Sequence, residues 1–213
     1  MESIVIVGCG ELGGLVFEFL SHDPLYQVAG FAVEHQYLNE STCCSRPVVD
    51  LDKLPDIYPP DRHQLFVAIY SNAERKRVFL KCRAMGYHFL TYKAPNASVS
   101  PSAKLGENVI VMENSSIQYH AEIGENTFIW NGVNICHSAV IGENSWIAPG
   151  ATVAGISSIG NESFIGANAT IKDRINIAGH NTIGAGAVVV KPIEGSHGVY
   201  AGCPAKLLKR VLD

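Results

Sequence analysis

The sequence predicts two domains of different class: an α/β unit over residues 1–92 and an all-β parallel helix over residues 93–213. Two observations carry this reading. Every sixth residue from Val99 to Val189 is Ile, Val or Leu, a period that neither an α-helix nor a flat strand produces. Ahead of that run, Gly8, Gly10 and Gly13 form a G-x-G-x-x-G turn between an apolar stretch and a segment with helical spacing.

Taken in order, Ser3–Val7 is a short apolar strand that runs into the glycine turn, and LVFEFLSH continues as a helix. Glycines at such a turn let the backbone approach a phosphate at a helix N-terminus. A second strand, Gln27–Val33, ends at Glu34, where dinucleotide folds carry an acidic residue. Residues 36–62 are expected to form a connecting loop, with a short PVVDLDKL segment inside it. The stretch HQLFVAIYSNAERKRVFLKCRAMGYHF reads as strand, turn and helix, with Ser71-Asn72 at the turn. The unit is therefore a half-Rossmann domain. NAD is one candidate ligand, but half a dinucleotide fold favours another nucleotide-linked molecule.

The hexads follow. The side chain two residues before each anchor is usually small, as at Ala97, Ala103, Ser115, Ala121, Thr127, Ala139 and Ser145. Glycine often follows the anchor, as at Gly106, Gly124, Gly142, Gly160, Gly166 and Gly184. Period six suits a chain that turns a corner after each short strand, so that three hexads close one triangular coil. About five such coils, stacked at roughly 4.8 Å, make a rod on the order of 25 Å long. The anchors fill its interior, and no hexad is interrupted between residues 99 and 189. The tail GVYAGCPAKLLKRVLD is expected to cap the rod with an apolar turn and a short basic helix.

The totals exclude several functions. A formal charge of -4 gives no general attraction to nucleic acid. No apolar run is long enough to span a membrane, and the first residues read as a strand rather than a signal peptide. The cysteines form no CxxC pair, which fits a cytoplasmic protein, and Cys43-Cys44 read as two free thiols in a loop.

A G-x-G-x-x-G half-domain, a strand–SN–helix element, and unbroken hexads ending in GCPAK together resemble the sugar O-acyltransferase family related to sialic acid O-acetyltransferases. That family includes N-acetyltransferases acting on 4-amino sugars of UDP- or dTDP-linked substrates. The resemblance implies a left-handed β-helix, a homotrimer, and acetyl-CoA as co-substrate lying between neighbouring prisms, with no metal. It also implies that the N-terminal domain holds the nucleotide of the sugar, with Gly8, Gly10 and Gly13 approaching it and Glu34, Ser71 and Asn72 nearby. Where the family turn often carries a histidine, this chain has Leu12.

Acetyl transfer to an amine or hydroxyl needs a base for the attacking group and donors for the oxyanion on the thioester carbonyl. Histidine suits the first task. His137, two residues after anchor Ile135, falls where the family carries its general base. On spacing alone it reads as a surface histidine on a coil. The family often follows this histidine with an acidic residue; here Ser138 stands there as a candidate to orient the ring, and Trp146 replaces a second family histidine. Gly155 stacks one coil above His137, and its N–H matches the family's contact to the acetyl carbonyl; a plain corner glycine is the rival reading. Ala167 and Ala185 offer backbone groups to CoA, and Lys206 a cation to one of its phosphates, with Lys191 and Lys209 as weaker candidates. His120 reads as an interface or solvated residue, and His180 and His197 as corner and tail residues. A Cys136–His137 acyl-enzyme is disfavoured, because adjacent residues seldom point together. Two other functions compete. One is O-acetylation of a sialic acid or polysaccharide sugar; the other is a non-catalytic, nucleotide-sugar-binding trimeric scaffold. A zinc enzyme sharing the β-helix lacks its H-x₄-H spacing here.

Overall fold

The computed structural model describes residues 2–211. The chain divides into two compact units between Leu90 and Thr91. No described helix is long and apolar enough to cross a membrane.

The first unit is a five-stranded sheet with flanking helices. Strand β1 (Glu2–Val7) leads into α1 (Glu11–His22), and β2 (Tyr26–Val33) follows. After these come β3 (Thr42–Cys43), β4 (Arg46–Asp50), α2 (Leu54–Ile57), β5 (Gln64–Val67) and α3 (Asn72–Ala84). The order across the sheet is β3-β4-β2-β1-β5, with β1 parallel to both β2 and β5. In β1, Ile4 to Val7 are all buried, as expected of a central parallel strand. Helix α1 buries Leu12, Val16 and Leu20 at i, i+4 spacing. Helix α3 is capped by Ser71, whose hydroxyl accepts from the Glu74 N–H at 3.4 Å.

Residues 36–62 correct the expected loop. The PVV portion is a strand, β4, parallel to β2 with Phe31 opposite Val48 and bordered on its other side by the two-residue edge strand β3. The following residues form a 3₁₀ turn (Leu51–Lys53) and α2, which bury Leu51 and Leu54. Pro47 and the flanking charges hide this strand from a reading of local pattern; Pro47 lies just before the residues that pair with β2, at the start of the strand, where a proline is tolerated.

The second unit is a parallel β-helix whose two-residue strands stack into three walls. The first wall runs through Ser98–Val99, Ser116–Ile117, Asn134–Ile135, Thr152–Val153, Thr170–Ile171 and Val188–Val189. The second runs from Lys104–Leu105 to Asn176–Ile177, and the third from Tyr92–Lys93 through Phe128–Ile129 and Trp146–Ile147 to Thr182–Ile183. The anchors from Val111 to Val189 are at most 3% exposed and form one continuous core. The small polar residues do more than fit a tight wall. The hydroxyls of Ser115, Thr127 and Ser157 donate to the carbonyls of Trp130, Gly142 and Lys172 at 2.7–2.9 Å, tying successive coils together. Corners recur with a left-handed residue three positions after an anchor, often asparagine. Buried Asn108, Asn126 and Asn144 stack there in an amide ladder, with bonds of 2.6 and 2.7 Å.

The tail is a second correction. Instead of a helix, Gly198–Ala201 adds a parallel strand to the third wall, and Lys206–Arg210 folds back antiparallel on it. The last coil presents open backbone donors and acceptors, and pairing with them outweighs an isolated helix of a few residues.

Candidate functional site

In the first unit, a cavity of about 440 Å³ opens at the carboxyl ends of β1, β2 and β5. Of the residues predicted to hold a ligand, Gly8, Gly10, Glu34 and Ser71 line it. Gly8 sits at φ 112°, where a Cβ would lie 2.6 Å from the Ala68 carbonyl oxygen. Gly13 and Asn72 are not in the lining. Gly13 packs on the Gly8 carbonyl so closely that a Cβ would collide with it. Asn72 accepts a 2.9 Å hydrogen bond from Arg75.

Arg75 is fully buried and also donates to the carbonyls of Ile69 and Tyr70, at 3.0 and 3.3 Å. It thereby fixes the turn that carries Tyr70 and Ser71 into the cavity wall. Burial pulls its pKa down to about 9, so it stays a cation at neutral pH. Glu34 is held by Arg77 through both carboxylate oxygens, at 2.9 and 2.6 Å, with Lys81 at 3.6 Å. The hydrogen bond from Arg77 holds its carboxyl below the usual range. The cavity also gathers three residues that sequence reasoning missed: Tyr37 and Asn39 after β2, and Tyr70 after β5.

In the second unit, the edge between the first and second walls carries Tyr119, His137, Gly155 and Asp173 in successive coils, each two residues beyond an anchor of the first wall. His137 is exposed. Its backbone is pinned on both sides: the N–H donates to Gln118 Oε1 at 3.1 Å, and the carbonyl accepts from Ile156 at 3.1 Å. Its ring lies against Gly155, where a Cβ would fall 2.6 Å from Nε2 and 2.7 Å from Cε1. Gly155 accepts from the Arg174 N–H at 3.0 Å, and its own N–H has no partner among the described residues. Ser138 is exposed in a left-handed turn, with its N–H on the Tyr119 carbonyl at 2.8 Å. No hydrogen bond joins its hydroxyl to the His137 ring.

The half-buried Cys136 thiol is pushed above its ordinary pKa by desolvation, which reduces its nucleophilicity at neutral pH. His120 is exposed beneath Ser138, its ring 3.8 Å from that of Tyr119. His180 and His197 stack on each other at 4.8 Å near the tail.

Ala167 and Ala185 stack in successive coils on a different edge, between the third and first walls. Neither N–H has a partner among the described residues. Lys206 is exposed at the start of the tail hairpin's second strand, and Lys191 and Lys209 are exposed as well. Trp146 belongs to the third wall, paired with Phe128 and Phe164, its ring tilted against that of Trp130 with centroids 5.2 Å apart. One chain thus brings His137 and Gly155 together on one edge, and Ala167 and Ala185 together on another.

The family profile described as bacterial transferase hexapeptide (six repeats) matches residues 120–155, the stretch that holds both His137 and Gly155. No curated protein sequence matches the chain. Among solved structures, the chain is similar to a His-to-Asn variant of perosamine N-acetyltransferase from Caulobacter crescentus in complex with CoA and GDP-perosamine. The identity is 30%, with 98% of each chain covered and a TM-score of 0.88. It is also similar to the acetyltransferase domain of PglB from Neisseria gonorrhoeae in complex with acetyl coenzyme A, at 27% identity, covering 97% of this chain and 99% of that one, with a TM-score of 0.84. WeeI from Acinetobacter baumannii, at 24% identity and a TM-score of 0.84 over 98% of this chain and 100% of that one, shares the fold.

Proposed function

Because the chain belongs to the hexapeptide-repeat sugar acyltransferases, we propose that it transfers the acetyl group of acetyl-CoA to the 4-amino group of a nucleotide-linked amino-deoxy sugar. The observation that carries this is the His137 ring lying against Gly155, a base beside an open backbone donor.

In this reaction His137 takes a proton from the amine as its nitrogen attacks the thioester carbonyl. The Gly155 N–H donates to the oxygen that becomes negative. The tetrahedral intermediate collapses, the C–S bond breaks, and the CoA thiolate takes the proton from the imidazolium. The transfer is direct, and the raised Cys136 thiol supports a mechanism without an acyl-enzyme. Ser138 reaches the site only as His137's neighbour.

Ala167 and Ala185 would hold CoA through backbone N–H groups, and Lys206 through a phosphate. The two pairs of residues occupy separate edges of the prism. This supports a homotrimer in which one chain's His137 edge meets the Ala167 edge of another. The first unit would hold the nucleotide, with Gly8, Gly10 and Ser71 at the cavity wall, Gly13 and Asn72 shaping it, and Glu34 at its rim. The Caulobacter relative is in complex with GDP-perosamine, which adds GDP to UDP and dTDP as the candidate nucleotides.

The test is release of free CoA from acetyl-CoA with GDP-, UDP- and dTDP-linked 4-amino-4,6-dideoxy sugars. Release with one of these, and an N-acetyl product by mass, supports the reading. Release only with hydroxyl acceptors would replace N- by O-acetylation, and no release with any sugar would leave a binding scaffold.

A further inference from the structure

The first unit's cavity has features that phosphate binding does not use. Its floor is the Gly8–Leu12 turn at the start of α1, suited to a diphosphate. Its flanks are the segments after β2 and β5, the strands on either side of β1. Each flank presents an aromatic ring to solvent: Tyr37 is 57% exposed and Tyr70 is 51% exposed. Both residues line the same cavity, together with Asn39. Two half-exposed aromatics at one cavity offer faces suited to a flat apolar ligand.

Both flanks are held in place. The Tyr37 N–H donates to the Glu34 carbonyl at 2.8 Å and Asn39 to the Tyr37 carbonyl at 3.0 Å, so the β2 flank is a compact turn. The β5 flank is pinned from beneath by buried Arg75, through the carbonyls of Ile69 and Tyr70. On the β2 side, Glu34 is paired with Arg77, a cation that Glu74 of the same cavity shares.

We propose that Tyr37 and Tyr70 form a stacking clamp for the nucleobase of the sugar nucleotide, with the Asn39 amide at the edge of the base. This rests on the nucleotide-sugar reading above and names the residues that hold its base. Stacking on a ring serves any base, whereas an amide donor and acceptor distinguishes one base edge from another. Tyr37 and Tyr70 therefore set affinity, and Asn39 sets which base is preferred.

The test is calorimetric titration of the full-length protein with GDP, UDP and dTDP, without sugar or acetyl-CoA. It compares wild type with Tyr37→Ala, Tyr70→Ala, Tyr37→Phe, Tyr70→Phe and Asn39→Ala. One diphosphate is expected to bind best. Each Tyr→Ala variant should weaken it about tenfold or more, the Phe variants should restore it to within about threefold, and Asn39→Ala should narrow the spread among the three bases. Far-UV circular dichroism checks that each variant is folded. Tight binding that both Tyr→Ala variants leave unchanged would overturn the clamp and leave the proposed function standing. A wild type that binds none of the three, yet acetylates an unlinked amino sugar, would overturn the nucleotide reading and the clamp with it.

Discussion

A Cβ placed on Gly155 would lie 2.6 Å from Nε2 of His137, so the imidazole occupies the space that glycine leaves at the next coil. Gly155 is buried and is not among the residues held at positive φ, so its backbone tolerates a side chain. The neighbour that must give way is an exposed ring, which can swing outward. Gly155→Ala is therefore expected to leave Tm within about 2 °C and to lower kcat by about 10²-fold, because a ring displaced by an ångström no longer meets the amine. Thermal melts and steady-state kinetics of the variant check this.

Cys136 precedes His137, but its thiol is half-buried and raised in pKa by desolvation. Cys136→Ser should retain kcat within about threefold, since no covalent step passes through it. Mass spectrometry of the protein mixed with acetyl-CoA alone should show no acetylated Cys136.

Ser138 lies beside the base in sequence, yet it turns along the edge in a left-handed corner, with its backbone on Tyr119. Ser138→Ala should change kcat less than about threefold. Ser138→Pro, by contrast, would forbid the positive φ and remove the 2.8 Å bond to Tyr119, and should reduce both Tm and activity.

Glu34 gives a pH prediction. Arg77 holds its carboxyl below the usual range, so the pair stabilises the fold above the ordinary Glu pKa, and this stability is lost as pH falls through the depressed value. Glu34→Gln should lower Tm at pH 7 by roughly 1–4 °C, and the difference from wild type should shrink toward zero as pH falls below the ordinary Glu range and through the depressed value. Melts across that range read it directly.

The β-helix was legible because its corners impose the period: each anchor from Val99 to Val189 must face the prism's interior, and the sequence shows this without reference to distant residues. The chain's edges were harder to read. Strand β4 contains Pro47, and the tail contains Pro204 followed by a basic run that looks helical. In both cases an open sheet edge decided the outcome: β4 adds to β2, and the tail hairpin adds to the last strand of the third wall. The same distinction applies to the site. His137 and Gly155 could be paired by their spacing, because the coil repeat carries one onto the next. Tyr37, Asn39 and Tyr70 could not be brought to one cavity by any local pattern, because their meeting depends on β2 and β5 flanking β1.

The most direct test of the central claim is the rate of acetyl transfer by His137→Ala, with its KM for acetyl-CoA, on the nucleotide-linked amino sugar that wild type turns over fastest. The expected result is a fall in kcat of about 10²–10⁴-fold with KM for acetyl-CoA within about threefold, the mark of a group that acts in the transition state and not in binding. A variant that keeps kcat within threefold of wild type would show that His137 is not the base, and that its place against Gly155 serves the coil and not the chemistry.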